Sequence, residues 1–201
     1  MSHAEFFINT WLKFFFILTP FFALSTFITM TRDLRVREKR LLALRVTGSV
    51  VIVCLILYFF GDIIFRVFGI TIDSFRIGGG CLIMLAAIEL VRRPIGSLSS
   101  DSGDIAVVPL AIPVIVGPGT TAAILVMGAE VQDPTDRSLG CIALALAGVA
   151  IGVLLLTTSI AERVAGERGL NILSKLTGLI MSAIASQMIF TGIKNFLQLG
   201  G

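Results

Sequence analysis

Few residues in this 201-residue chain could do side-chain chemistry. The single histidine, His3, is next to the N-terminus, and Cys54, Cys81 and Cys141 lie inside apolar stretches without metal-site spacing. The sequence contains no Ser-His-Asp, Cys-His or metal-ligand grouping, so it offers no catalytic residue, no metal and no cofactor, and it does not read as an enzyme. Glu89 has no deep acidic partner of the kind an intramembrane hydrolase needs. What remains is chemistry of the backbone. In VVPLAIPVIVGPGTTAAILVM, Val107 to Met127, Pro109, Pro113 and Pro118 each remove a backbone donor, and Gly117 and Gly119 flank the last of them. Thr19-Pro20 interrupts the first apolar stretch at the corresponding place.

An unpaired backbone group in lipid costs several kcal/mol, so broken backbone persists at membrane depth only where protein or a water-filled cavity satisfies it. Beyond a proline break, the next half-helix presents free N–H groups and the positive end of its dipole, which together form an anion site. The expected site therefore takes a carboxylate on the amides of Phe21, Phe22 and Ala23 after Pro20, and of Gly119, Thr120 and Thr121 after Pro118. The hydroxyls of Thr19, Thr120 and Thr121 orient it. Gly117 and Gly119, lacking side chains, let a solute reach the backbone. Gln187, deep in the last apolar stretch, is either a further contact to the solute or a hydrogen bond between helices. The competing reading of both breaks is a pair of kinks satisfied by neighbouring helices.

These groups need elements to hold them. The chain is 56% hydrophobic and 14% charged, with a mean hydropathy of +0.98, the composition of a polytopic all-α membrane protein. Six spans are expected, at about 6–30, 41–60, 73–91, 107–127, 139–160 and 176–196, in one transmembrane domain covering residues 1–201. Asp62 and Arg66 fall in a short connection after the second span, Thr71 and Asp73 cap the third, and residues 162–175 form a loop before the sixth. The apolar start precedes Arg32, Arg35, Arg37, Lys39 and Arg40, the reverse of a secretory signal's charge order. The net charge of +3 comes from cations in short loops, so it sets topology and does not point to nucleic acid. Counting them places the basic loops in the cytoplasm and both termini outside.

Three spans on each side of a Gly/Ser-rich linker at 94–104 mean that the second half enters the membrane with opposite polarity. The expected repeats are about 1–93 and 105–201, inverted in topology, with the first helix of each broken at Pro/Gly. Phe75-Arg76-Ile77-x-Gly79 and Ser174-Lys175-Leu176-x-Gly178 echo each other at nearly the same offset as the two breaks. Arg76, Lys175 and Lys13 read as interface anchors, and Glu89 as an ion pair with Arg92 and Arg93. Gly78 to Gly80 and Gly148-x-x-x-Gly152 are close-packing faces, within one subunit or in a homo-oligomer.

The stretch VVPLAIPVIVGPGTT resembles the signature of the MarC family of bacterial inner-membrane proteins, and FRIGGG and GLIMSAIASQMIFTGI look like that family's other recurring stretches. The resemblance covers essentially the whole chain. It implies a six-helix protein of the bacterial inner membrane, similar in its three-plus-three plan to the LysE-type amino-acid exporters. Some relatives are described as transporters of small neutral amino acids. Thr19-Pro20 departs from the Asn-Pro usual in relatives, a hydroxyl in place of an amide at a proposed contact. The resulting expectation is a secondary transporter of a small solute, a neutral amino acid with or without a coupling ion, working by alternating access around the two half-helix ends. The alternatives are a passive channel or exporter and a non-transporting structural or regulatory subunit.

Overall fold

The computed structural model describes residues 2–92 and 115–199, without the side chains of 159–165, 167 and 199. All regular structure among them is helix: α1 (His3–Ile17), α2 (Pro20–Met30), α3 (Val36–Phe68), α4 (Ile72–Arg92), α5 (Pro118–Glu130), α6 (Pro134–Leu156) and α7 (Thr158–Leu199). Five helices in this set are long and apolar enough to cross a membrane, with α1 and α2 together forming one span from His3 to Met30. The expected fourth span falls partly outside the described residues, as do Pro109, Pro113 and the linker at 94–104. Its described part is α5.

Local chemistry sets the helix ends. Ser2 and Glu5 form a reciprocal capping box at the start of α1, where the Glu5 amide donates to Ser2 Oγ at 3.3 Å and the Ser2 amide to Glu5 Oε2 at 3.0 Å. Gly69, with φ at 64°, ends α3 in the left-handed conformation that glycine adopts without strain. The Thr71 hydroxyl caps α4 by accepting from the Ser74 amide at 3.2 Å. Asp133 caps α6 ahead of Pro134 at the first helical position.

Several boundaries differ from the sequence reading. Helix α3 is 33 residues long, about 50 Å at the helical rise, so it continues through Asp62 and Arg66 where a connection was expected. Arg66 suits a helix, Asp62 lies 3.5 Å from Arg137 of α6, and hydropathy marks only the part of a helix that fits in lipid. Asp73 does not cap α4; its carboxylate pairs with Arg76. The loop expected at 162–175 is helical within α7, apart from a break at Gly166 (φ 59°, ψ 176°) that only glycine accommodates readily.

The helices pack through small residues. Gly80 of α4 meets Ala185 and Ile189 of α7, Gly178 of α7 meets Ala87, Val91 and Leu90 of α4, and Gly192 meets the Asp73 carbonyl, an antiparallel register along both helices. Gly148 and Gly152 of α6 meet Val51 and Thr47 of α3, so that motif works inside the chain. Gly61 of α3 lies against the Leu125 backbone of α5, and Gly79 of α4 against Ala122. One buried cluster joins α1, α2, α3 and α6 around Phe14, Phe27, Val50, Tyr58 and Leu144; another joins α4, α5 and α7 around Ile83, Ala123 and Met181, with Ile17 of α1. Outward faces carry exposed Ile52, Ile56, Phe60, Leu85, Val153 and Phe190, the surface of a protein solvated by acyl chains.

Candidate functional site

The first break is a single residue in an unusual conformation. Thr19 has φ 49° and ψ 59°, the left-handed region, where a β-branched residue is strained. Its amide donates to the Phe16 carbonyl at 3.0 Å and closes α1, while its carbonyl accepts from Ala23 at 2.9 Å and opens α2. Pro20, buried, takes the first helical position, where its missing donor costs nothing. The Thr19 hydroxyl is buried and has no hydrogen-bond partner.

The second break is built differently from similar parts. Gly117 is extended (φ −78°, ψ 177°), Pro118 takes the first helical position of α5, and the Thr121 amide donates to the Gly117 carbonyl at 2.9 Å. The two breaks are joined by the Thr120 hydroxyl, which donates to the Ile17 carbonyl at 3.2 Å. That carbonyl belongs to the last turn of α1, where the left-handed turn at Thr19 interrupts the helical ladder.

This geometry narrows the expected donors. The amides of Ala23 and Thr121 are committed to the carbonyls that open their own helices, so they are not free for a ligand. Phe21, Phe22, Gly119 and Thr120 occupy the second and third helical positions, whose amides a helix leaves unbonded. Gly119 also has a different role from the one expected. A Cβ there would sit 3.1 Å from the Ile83 amide nitrogen and 3.2 Å from its Cα, so the side-chain face of Gly119 is filled by the α4 backbone and a solute has no access from that side. Phe21 and Phe22 are half-buried, and Phe22 packs with the cluster around Ile83 and Met181.

Gln187 lies elsewhere. It is exposed and lines a cavity of about 180 Å³ with Lys13, Arg76, Glu130 and Thr191, together with Val126, Met127, Ile184 and Met188, none of which belongs to either break. In the antiparallel register of α4 and α7 it stands roughly 5 Å along the helix from the level of Ile83, toward Asp73.

Beside that cavity is a cluster that sequence reasoning missed. Arg76 pairs with Asp73 at 2.6 Å and with Glu130 at 2.6 Å, and Asn195 Nδ2 donates to Asp73 Oδ1 at 3.2 Å. The Arg76 and Asp73 side chains are only 13% and 14% exposed, so the guanidinium is an internal tie between α4, α5 and α7, not an interface anchor. The Asp73-Arg76 spacing of three was visible in the sequence, but its two long-range partners were not. Lys175 is exposed, and Glu89 lies on an exposed face near the end of α4.

Residues 4–197 match the family described as MarC family integral membrane protein. The chain belongs to the MarC family. It is similar to a UPF0056 membrane protein of Methanocaldococcus jannaschii at 35% identity, covering 96% of this chain and 98% of the relative. It is also similar to a UPF0056 membrane protein of Aquifex aeolicus at 27% identity over 96% and 94% of the two chains, and to YhcE of Escherichia coli at 30% over 90% and 88%. None of these three names denotes an enzyme or states a substrate. No solved structure matches this MarC chain. The family and the apolar outward faces together define a multi-pass integral membrane protein.

Proposed function

We propose that this MarC protein is a secondary transporter of a small carboxylate-bearing solute, a neutral amino acid, moved by alternating access around the ends of α2 and α5. The observation that carries the reading is the joined pair of breaks. Two half-helix N-termini, from distant parts of the chain, are linked through Thr120 and Ile17, and beside them the buried Thr19 hydroxyl has no partner. In this reading the amides of Phe21, Phe22, Gly119 and Thr120 receive the carboxylate when the link opens, and the Thr19 hydroxyl orients it. Pro20, Pro118 and Gly117 keep the two ends broken, Ala23 and Thr121 close their first turns, and Gln187 lines the approach from the Lys13 cavity.

The inverted repeat belongs to the same proposal, and the packing supports it. Helix α5 packs on α4 and α2 on α7; α5 packs on α3 and α2 on α6. Each of these four contacts has a counterpart with the halves exchanged, while α3 with α6 and α4 with α7 are their own counterparts. Six spans, a bacterial inner-membrane location, the end bearing Asp73 and Glu130 facing outward with both termini, and a coupling ion complete the reading.

Uptake of labelled alanine into proteoliposomes, with and without an imposed proton or sodium gradient, tests it. Accumulation driven by a gradient is the expected result. Equilibration without accumulation would favour a passive pore, and absence of flux for a panel of small amino acids would remove the transporter reading.

A further inference from the structure

The opposite end of the molecule, where the basic residues Arg32 to Arg40 lie, has a cavity of its own. It measures about 300 Å³ and is formed where the first turns of α3 face the junction of α6 and α7, with Val36, Lys39, Arg40, Leu155, Leu156 and Thr158 among its lining residues. We infer that this cavity binds a phosphate group at the level of the membrane surface.

Three observations converge on that chemistry. Lys39 is half-buried and Arg40 is exposed, and neither has an acidic partner among the described residues. The adjacent carboxylate, Glu38, accepts from the Arg35 amide at 2.9 Å and so caps α3. Thr158 is only 8% exposed, yet its hydroxyl makes no hydrogen bond among the described residues, whereas that of neighbouring Thr157 bonds the Val153 and Leu154 carbonyls at 2.9 and 3.1 Å. A hydroxyl that lines a cavity with two cations and makes no hydrogen bond among the described residues is a donor open to a phosphate oxygen.

The walls bear on the source of the phosphate. Val36 is 63% exposed and Leu156 39%, so apolar surface runs from the cavity to the outside of the bundle. An anionic phospholipid would place its phosphate on Lys39, Arg40 and Thr158 and its glycerol and first acyl carbons along Val36 and Leu156. A free phosphate would use the polar part alone.

Native mass spectrometry of the full chain in detergent, titrated with phosphatidylglycerol and with phosphatidylcholine of the same acyl chains, tests the site. Wild type is expected to bind phosphatidylglycerol, with roughly thirtyfold weaker binding in Lys39→Gln/Arg40→Gln and a smaller loss in Thr158→Val. Arg32→Gln/Arg37→Gln removes the same charge from the same end outside the cavity and is expected to bind as wild type. Competition by millimolar inorganic phosphate identifies a free-anion site, and failure to compete identifies a lipid site; both support a bound phosphate group. The inference is overturned if wild type binds neither probe, if Lys39→Gln/Arg40→Gln binds as wild type, or if Arg32→Gln/Arg37→Gln loses as much. The last result would show that only diffuse charge matters. Should Thr158→Val fail to fold, the two charge pairs decide.

Discussion

The Thr120 hydroxyl of α5 donates to the Ile17 carbonyl of α1 at 3.2 Å and ties the two broken helices where both are interrupted. Thr120 is 6% exposed and Ile17 fully buried, so water does not replace the bond when it is lost. Thr120→Val keeps the shape and leaves the carbonyl without that donor, which should cost roughly 1–2 kcal/mol. Thr120→Ser should retain most of the stability. Thermal unfolding in detergent measures both, and a Thr120→Val protein as stable as wild type would mean that the bond does not hold the junction.

Thr19→Asn should stabilise the protein. A threonine at φ 49° is strained because its branched Cβ crowds the backbone, whereas asparagine visits the left-handed region routinely. The relief should be about 1 kcal/mol, the lower end of what such strain costs. This also gives a backbone reason for the Asn-Pro that MarC relatives were expected to carry. The same change gives the unpartnered position an amide, so the order of preference among small amino acids should shift in the proteoliposome assay. A lower melting temperature would contradict the strain argument, and an unchanged preference would take Thr19 out of the binding site.

Gly119→Leu should reduce the amount of folded protein as well as any flux. If Gly119 only let a solute reach the backbone, as the sequence alone suggests, the change would block flux and leave the fold intact. With Ile83 backbone atoms 3.1 and 3.2 Å from the position of a Cβ, α5 must instead move off α4. Overpacking of this kind costs roughly 1–3 kcal/mol. Gly119→Ala should show the same effect in milder form, and the folded yield of both after size-exclusion chromatography checks it.

The breaks were legible in the sequence because proline cannot donate and cannot hide: Thr19-Pro20 and Gly117-Pro118 open helices where expected. What lies beside them was not legible. Gly119 reads equally well as access for a solute or as room for a neighbouring helix, and only the position of Ile83 separates the two. Helix lengths failed for a related reason. Hydropathy sees the lipid-compatible part of α3, while Arg37 to Arg40 at one end and Arg66 at the other extend it as good helix formers, and Asp62, a poor one, stays helical facing Arg137. Glu130 and Asn195, 54 and 122 residues from their partners on α4, lay beyond any local pattern.

Removing one member of the α4–α5–α7 ion cluster should be severe. Arg76 satisfies Asp73 and Glu130 together, and its side chain is 13% exposed. Asp73→Ala leaves the guanidinium with Glu130 alone and Asn195 with no partner among the described residues, which should cost about 2 kcal/mol because an internal charge loses one of its two charge-assisted bonds. Glu130→Gln should cost less, since Glu130 is 36% exposed and water can take its place. Unfolding of both variants in detergent checks the order. Reversal would show that Arg76 depends on α5 more than on its own helix.

Asp133 makes one end of α6 sensitive to acid. Its carboxylate accepts from the Thr135 amide at 2.7 Å and the Asp136 amide at 3.3 Å, and these bonds, the Thr135 one foremost, hold its titration below the ordinary 3.8. The folded state therefore favours the charged form, and the unfolded chain takes up a proton first as pH falls. The contribution of this cap is fully present above 3.8 and is lost as pH drops through the lower folded value. Asp133→Asn keeps an accepting oxygen at the cap but cannot titrate. The difference in melting temperature between wild type and Asp133→Asn should therefore be constant from pH 7 to 5 and change only below about 4, with the stability of wild type falling relative to the variant. A difference that already changes near pH 6 would assign the acid sensitivity to a group other than Asp133.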